Sequence, residues 1–434
     1  MVTKDKIELS ASLQRRLARE WQMLTNEKNY LIPETPEDFR KFGPFPFFEI
    51  GSVMVFAKDN VETAILKIAE SVREEVGVDR FSLQTVYQAL REEIKSHFSE
   101  KKGKSFANLE SILNSIQSKE SEREHSRIVC GLVLKDFNHL SVGGWSIQRL
   151  DEASIKVLAD RVKENERHRE QILKFLNNRL KNKTVITVRC QGDEEQSRMR
   201  AEHISRYVLN VFRLFIVVHM KSKNAQHFID IQLDSMNNDS VPSFSFDTAS
   251  RSYTMRIGVD ILQYRQDYKL TSRNLTILRE SWNADYLWSL VERLTRNDIQ
   301  DSLVTAVTWF GDAQQERDPH VAYVKYWTAL EALITGHEEG RQDARLKIVI
   351  PILIRQHSKN VPTKTQVSNA YDLRSKVIHR GSLAQVRRAD VDTLCRWTAE
   401  CITSVVTLSL RGYQTRSDLE KHSYIIDKSG KSDA

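Results

Sequence analysis

Arg374 and His379 stand five residues apart in the stretch YDLRSKVIHRG, residues 371–381. Together they are a pair of side chains able to do acid–base chemistry on a phosphate. A histidine titrates near neutrality and can give or take a proton there. An arginine presents a rigid fork of donors that matches phosphoryl oxygens as they gather negative charge. Spacing by itself decides nothing, because an arginine followed after four to six intervening residues by a histidine recurs at Arg91/His97, Arg161/His168, Arg198/His203, Arg213/His219 and Arg416/His422. Context separates them. Arg213/His219 sits in a strongly apolar helix, Arg91/His97 and Arg161/His168 on charged helical faces, and Arg416/His422 near the C-terminus. Arg198/His203, in a basic helix, is the one rival worth keeping.

The periodicity of residues 366–379 predicts a helix in which Val367, Tyr371 and Ile378 form an apolar stripe, with Arg374 inside it. A guanidinium on such a stripe is costly unless it is paired or borders a polar cleft. His379 follows about 140° further round an ideal helix, so the two side chains share no face while the helix continues. Gly381 suits a helix C-terminus and places His379 in the last turn or just beyond it. Lys376, Arg380, Arg387 and Arg388 concentrate positive charge around the histidine and are candidate nucleic-acid contacts.

These residues need a scaffold, and the chain divides by pattern into two parts. Up to about residue 265 it mixes helices with strands. VETAILKIAESVREEV (61–76) and LQTVYQALREEIKSHF (83–98) read as helices, and the polar stretch 101–126 as a surface connection and a break between subdomains. TVITVRC (184–190) alternates with period two, placing Ile186, Val188 and Cys190 on one face, and FIDIQLD, PSFSFD and SYTMRIG alternate likewise. A long charged helix is expected over 152–182 and another over 195–220. From about 270 to 412 strand signals stop and amphipathic helices follow, at 283–296, 299–313, 320–335, 345–356 and 390–411. Residues 413–434 read as a polar, frayed tail. The expected fold class is therefore an α+β N-terminal region followed by an all-α bundle.

Bulk properties narrow the function classes. A net charge of +7 suits a polyanionic partner without requiring one. Cys130, Cys190, Cys395 and Cys401 form no CxxC pair, so a structural zinc site is not expected and the usage fits a reducing compartment. No metal or cofactor is expected. The N-terminus lacks the apolar core of a signal peptide, and the longest apolar runs fall far short of a membrane span, so a cytoplasmic protein without a membrane partner is expected.

The segment YDLRSKVIHRG resembles the signature of the HEPN superfamily, most closely its ApeA-like branch, in which a Tyr-x-x-Arg-x-x-x-x-His-x-Gly pattern ends one helix of an all-α domain. Tyr371, Arg374, His379 and Gly381 match it. Upstream, YWTALEAL (326–333) resembles that branch's Trp-x-x-Leu-Glu-x-Leu helix at Trp327, Leu330, Glu331 and Leu333. The likeness covers about the last third of the chain. Relatives often carry Asn after the arginine; here that position is Ser375.

The resemblance implies a metal-independent endoribonuclease working as a homodimer in a prokaryotic antiviral or toxin-type system, with RNA as partner. It implies His379 as general acid or base and Arg374 as phosphate clamp, with Glu331 orienting Arg374 and Tyr371 and Ser375 in support. The N-terminal region would then bind an activating trigger. The alternative is a dimerising module that binds nucleic acid or nucleotide without cutting, in which Arg374 and Glu331 are a purely structural pair.

Overall fold

In the computed structural model the described residues are 9–31, 48–50, 53–57, 59–99, 109–160, 166–220, 229–231, 240–247, 253–259, 267–335, 342–380 and 386–429. They form an α+β region followed by helices, in two compact units. One comprises residues 1–124, 189–201 and 245–252, the other 125–188, 202–244 and 253–434. The division does not run at 265–270: residues of the larger sheet and all of the C-terminal helices share a unit.

The smaller unit opens with α1 (Ala11–Leu24), capped by the Ser10 hydroxyl, which accepts from the Leu13 amide. Leu13, Leu17, Trp21 and Leu24 recur at helical spacing and are all buried. Strands β1 (Tyr30–Leu31), β2 (Phe48–Ile50) and β3 (Val53–Ala57) pair antiparallel in the order β1-β3-β2. Helices α2 (Asp59–Val76), α3 (Leu83–Ser99) and α4 (Leu109–Ser118) contribute Ile65, Ile68, Leu90, Ile94, Ile112 and Ile116 to the same core. The stretch 101–126 is thus more than a surface connection. Residues 101–108 lie outside the described residues, but α4 inserts two isoleucines into the core. Strand β4 (Ser121–Cys130) then buries Glu124, His125, Ser126 and Arg127. Polar residues enter a strand interior here because each finds a partner, as Glu124 does in Arg189 at 2.8 Å.

Strands β5 (Leu132–Leu134), β6 (His139–Val142), β7 (Trp145–Arg149) and β8 (Thr184–Gly192) follow. After them come β9 (Asp230–Ile231), β10 (Ser240–Asp247) and β11 (Tyr253–Val259). The larger sheet runs β11-β10-β4-β8-β7-β6, with β9 on β4. Trp145 sits opposite Val188 and Ile147 opposite Ile186, so the alternation of residues 184–190 supplies one buried face. Between β7 and β8 lie α5 (Glu152–Asp160) and α6 (Glu166–Leu180), two helices where the sequence reads as one; 161–165 lie outside the described residues.

The long helix α7 (Glu194–Met220) meets the C-terminal helices through its second half. Strand β12 (Tyr268–Leu270) pairs parallel with β5, and α8 (Ser272–Glu280) and α9 (Ala284–Leu290) follow. Trp288 of α9 is fully buried, 5.2 Å from the Trp145 ring and 5.1 Å from Phe212, and its indole N–H donates to the Val208 carbonyl at 3.2 Å. Helix α10 (Asp298–Gln315) begins in a capping box of Asn297 and Gln300 and crosses α7 at Gly311. A Cβ there would collide with the Asn210 amide, so glycine is what permits the approach.

The remaining helices are α11 (Pro319–Ile334), α12 (Gln342–Arg355), α13 (Lys364–Arg380), α14 (Arg388–Leu410) and α15 (Arg416–Ser429). Residues 416–429 are therefore a packed helix and not a frayed tail. Leu419 and Ser423 are buried. Arg416 grips Asp298 through its backbone N–H at 2.8 Å and through its guanidinium, and donates to the Ala332 carbonyl at 3.2 Å. Among the described residues no helix is long and apolar enough to cross a membrane.

Candidate functional site

Helix α11 starts where Asp318 accepts from the His320 amide and Pro319 supplies the first-turn φ. Its buried face carries Tyr323, Trp327, Leu330 and Ile334, and Glu331 falls at the edge of that face, half-buried. Helix α13 lies against this edge. Val367 is fully buried, the Tyr323 hydroxyl donates to the Ala370 carbonyl at 2.8 Å, and Trp327 meets Tyr371 edge to face at 5.7 Å. One turn on, the Arg374 guanidinium donates to Glu331 Oε2 at 3.0 Å and lies 5.8 Å from the Tyr371 ring centre. The two motifs thus meet as a ladder of contacts between α11 and α13.

The ion pair is largely withdrawn from solvent, Arg374 being 23% and Glu331 16% exposed. Glu331 Oε1 and Arg374 Nε are buried and have no hydrogen-bond partner. Burial pushes the Glu331 carboxyl above its ordinary pKa, and the opposing pull of Arg374 does not cancel it. The pair therefore fixes α13 on α11 at an electrostatic cost.

His379 lies in the last turn of α13 and is exposed. The helix runs unbroken to Arg380, so His379 projects about 140° away from Arg374, as the helical geometry requires. Its neighbours along the helix are Ser375, half-buried, and Lys376, exposed. Ile378, expected on the apolar stripe, is 45% exposed: the packed edge of α13 ends one turn earlier, at Arg374. Gly381 and the Arg380 side chain lie outside the described residues.

Arg387 and Arg388 open α14, and each is already matched to a carboxylate. Arg387 pairs with Asp390 at 3.1 Å, which raises the arginine's pKa and holds the aspartate below its ordinary range. Arg388 pairs with Asp392 at 3.2 Å. Much of the positive charge counted from sequence around His379 is thus locally offset.

Two of the other arginine–histidine pairs are held by neighbouring groups. Buried Arg213 donates to the Asn210 side chain and the Ile229 carbonyl, while His219 stacks on Phe215 at 4.9 Å. Arg416 holds Asp298, and His422 is bonded to Tyr413 at 2.9 Å. His97 is edge-on to Trp21 and Phe98, and Arg161 lies outside the described residues. In the rival pair Arg198 is half-buried and His203 exposed. Sequence reasoning missed Tyr323, whose hydroxyl fixes the α13 backbone; its signal was its place in the aromatic series Tyr323, Tyr326, Trp327. Among the described residues no group of three or more His, Cys, Asp or Glu could hold a metal ion. The chain matches no protein-family model, no curated protein and no solved structure.

Proposed function

We propose that residues 270–412 form a HEPN-like module that cleaves RNA without a metal, with His379 as general acid or base. One observation carries the reading: motifs whose key residues, Glu331 and Arg374, stand 43 positions apart come together across α11 and α13, Trp327 on Tyr371 and Glu331 on Arg374. Exposed His379 can reach a solvent-borne substrate and exchange protons with water. In the reaction the 2′-hydroxyl loses its proton as its oxygen bonds to the adjacent phosphorus, and the bond from phosphorus to the 5′-oxygen breaks as that oxygen gains a proton. Arg374 is the cation that the resemblance assigns to the phosphoryl oxygens, although in this state its guanidinium is bonded to Glu331. A homodimer through these helices, a trigger bound by the N-terminal region, and a prokaryotic antiviral or toxin-type setting in the cytoplasm belong to the same proposal.

The test is RNA cleavage in EDTA by wild type, Arg374→Ala and His379→Ala. Cleavage lost in His379→Ala supports the reading; equal activity in all three removes the site assignment. A second reading, a module that dimerises and binds RNA or nucleotide without cutting, is favoured by the divergence of Arg374 and His379 around α13. Wild type that binds RNA but never cleaves it would select this second reading. Sedimentation at micromolar concentration tests both, since each expects a dimer.

A further inference from the structure

Helix α13 is continuous from Lys364 to Arg380, so sequence position fixes position around its axis. Thr365, Asn369, Asp372, Lys376 and His379 are all exposed, and their spacing of four, three, four and three aligns them in one stripe. Lys376 precedes His379 by three residues, which brings their Cβ atoms to about 5–6 Å. Arg374 lies off this stripe. Its guanidinium is half-buried, bonded to Glu331 and set against Tyr371, with Nε inaccessible.

A backbone phosphate of RNA arrives hydrated and from solvent, and an exposed, unpaired cation meets it without first giving up a carboxylate. Arg387 and Arg388 are exposed but paired with Asp390 and Asp392. Lys376 is exposed and in no ion pair among the described residues. Asn369 and Thr365 extend the stripe with uncharged donors and acceptors suited to sugar and phosphate oxygens.

We infer that the exposed stripe of α13 is the RNA-facing surface, with Lys376 beside His379 making the phosphate contact, and that Arg374 is a positioning residue that locks α13 to α11 through Glu331. This rests on RNA being the ligand and moves the phosphate contact from Arg374 to Lys376. Asp372, one turn before Lys376, limits the contact to a single modest charge and disfavours phosphates further toward the start of the helix.

The experiment is binding of a labelled single-stranded RNA to the full chain by fluorescence anisotropy across a salt series. One phosphate contact on a single strand contributes a slope of about −0.7 in log K against log salt. Lys376→Gln should flatten the slope by about that amount and leave the melting temperature unchanged. Arg374→Gln should lower the melting temperature and leave the slope as it is. Should that variant fail to fold, the double variant Glu331→Gln/Arg374→Gln, which strands no charge, takes its place with the same expected slope. An unchanged slope in Lys376→Gln, or a flattened one in the Arg374 variants, overturns the inference while leaving RNA as the ligand. A wild-type chain that binds no RNA at any salt overturns the functional reading as well.

Discussion

Replacing Arg374 with alanine strands the Glu331 carboxylate, and the structure sets both the size and the pH dependence of the consequence. Glu331 is only 16% exposed, and its pKa is raised because burial outweighs the attraction of Arg374. Without the guanidinium 3.0 Å away the carboxylate keeps its desolvation and loses its counter-charge. Breaking a fully buried pair costs about 3–5 kcal/mol and an exposed one about 0–1, so this half-buried pair should cost about 2 kcal/mol at neutral pH. A folded-state pKa raised above the unfolded value means the native chain holds the proton more tightly. That contribution is fully present below the unfolded pKa and is lost as pH rises through the folded one. Arg374→Ala removes the influence that lowers the folded pKa and moves it further up. The deficit against wild type should therefore be largest at neutral pH and shrink as Glu331 takes up its proton on acidification. Urea denaturation followed by circular dichroism at about pH 7.5 and about pH 5 measures this difference. Glu331→Gln is the control: the guanidinium loses its counter-charge but the amide oxygen can still accept from it, so the cost should stay below that of Arg374→Ala. A deficit in Arg374→Ala equal at both pH values would refute the reasoning, as would a larger loss in Glu331→Gln.

Two further changes probe what holds the helices together. Gly311→Ala should destabilise by about 2–3 kcal/mol, because the new methyl must displace the Asn210 amide that donates to the Thr308 carbonyl; a melting temperature equal to wild type would contradict the close crossing. Arg416→Ala should cost about 1–2 kcal/mol by releasing Asp298 and the Ala332 carbonyl. Asp298 is held below its ordinary pKa, net of its burial, by hydrogen bonds from Arg416. Its contribution is present above the unfolded pKa and lost as pH falls through the folded one, so the gap between wild type and Arg416→Ala should narrow in acid, as denaturation at two pH values will show.

Much of the secondary structure was legible because it is written in local periodicity. The alternation of residues 184–190 gave a strand with Ile186, Val188 and Cys190 buried, and the spacing of 366–379 gave the helix that became α13. The angle between Arg374 and His379 followed from helix geometry as well, once the helix proved continuous. What sequence could not supply were partners distant along the chain. Residues 416–429 look like a tail because few of them are apolar; they form α15 because Arg416 meets Asp298, 118 positions away. The polar stretch before residue 126 likewise enters β4 because Arg189 waits for Glu124.

The sequence by itself determined which residues could do chemistry, the helix that carries them and the directions in which they leave it. The apolar spacing also marked the inward face at Val367, Tyr371 and Arg374; only the tertiary structure decided what covers that face and that the cover ends at Arg374, leaving Ile378 exposed. Packing against α11 claimed Tyr371 and Arg374, because Trp327 and Glu331 offer a ring and a carboxylate at matching heights. It left Lys376 and His379 to solvent. Local geometry fixes angles around an axis, whereas the extent of burial depends on which distant surface closes over it, and the spacing within α13 does not encode that partner.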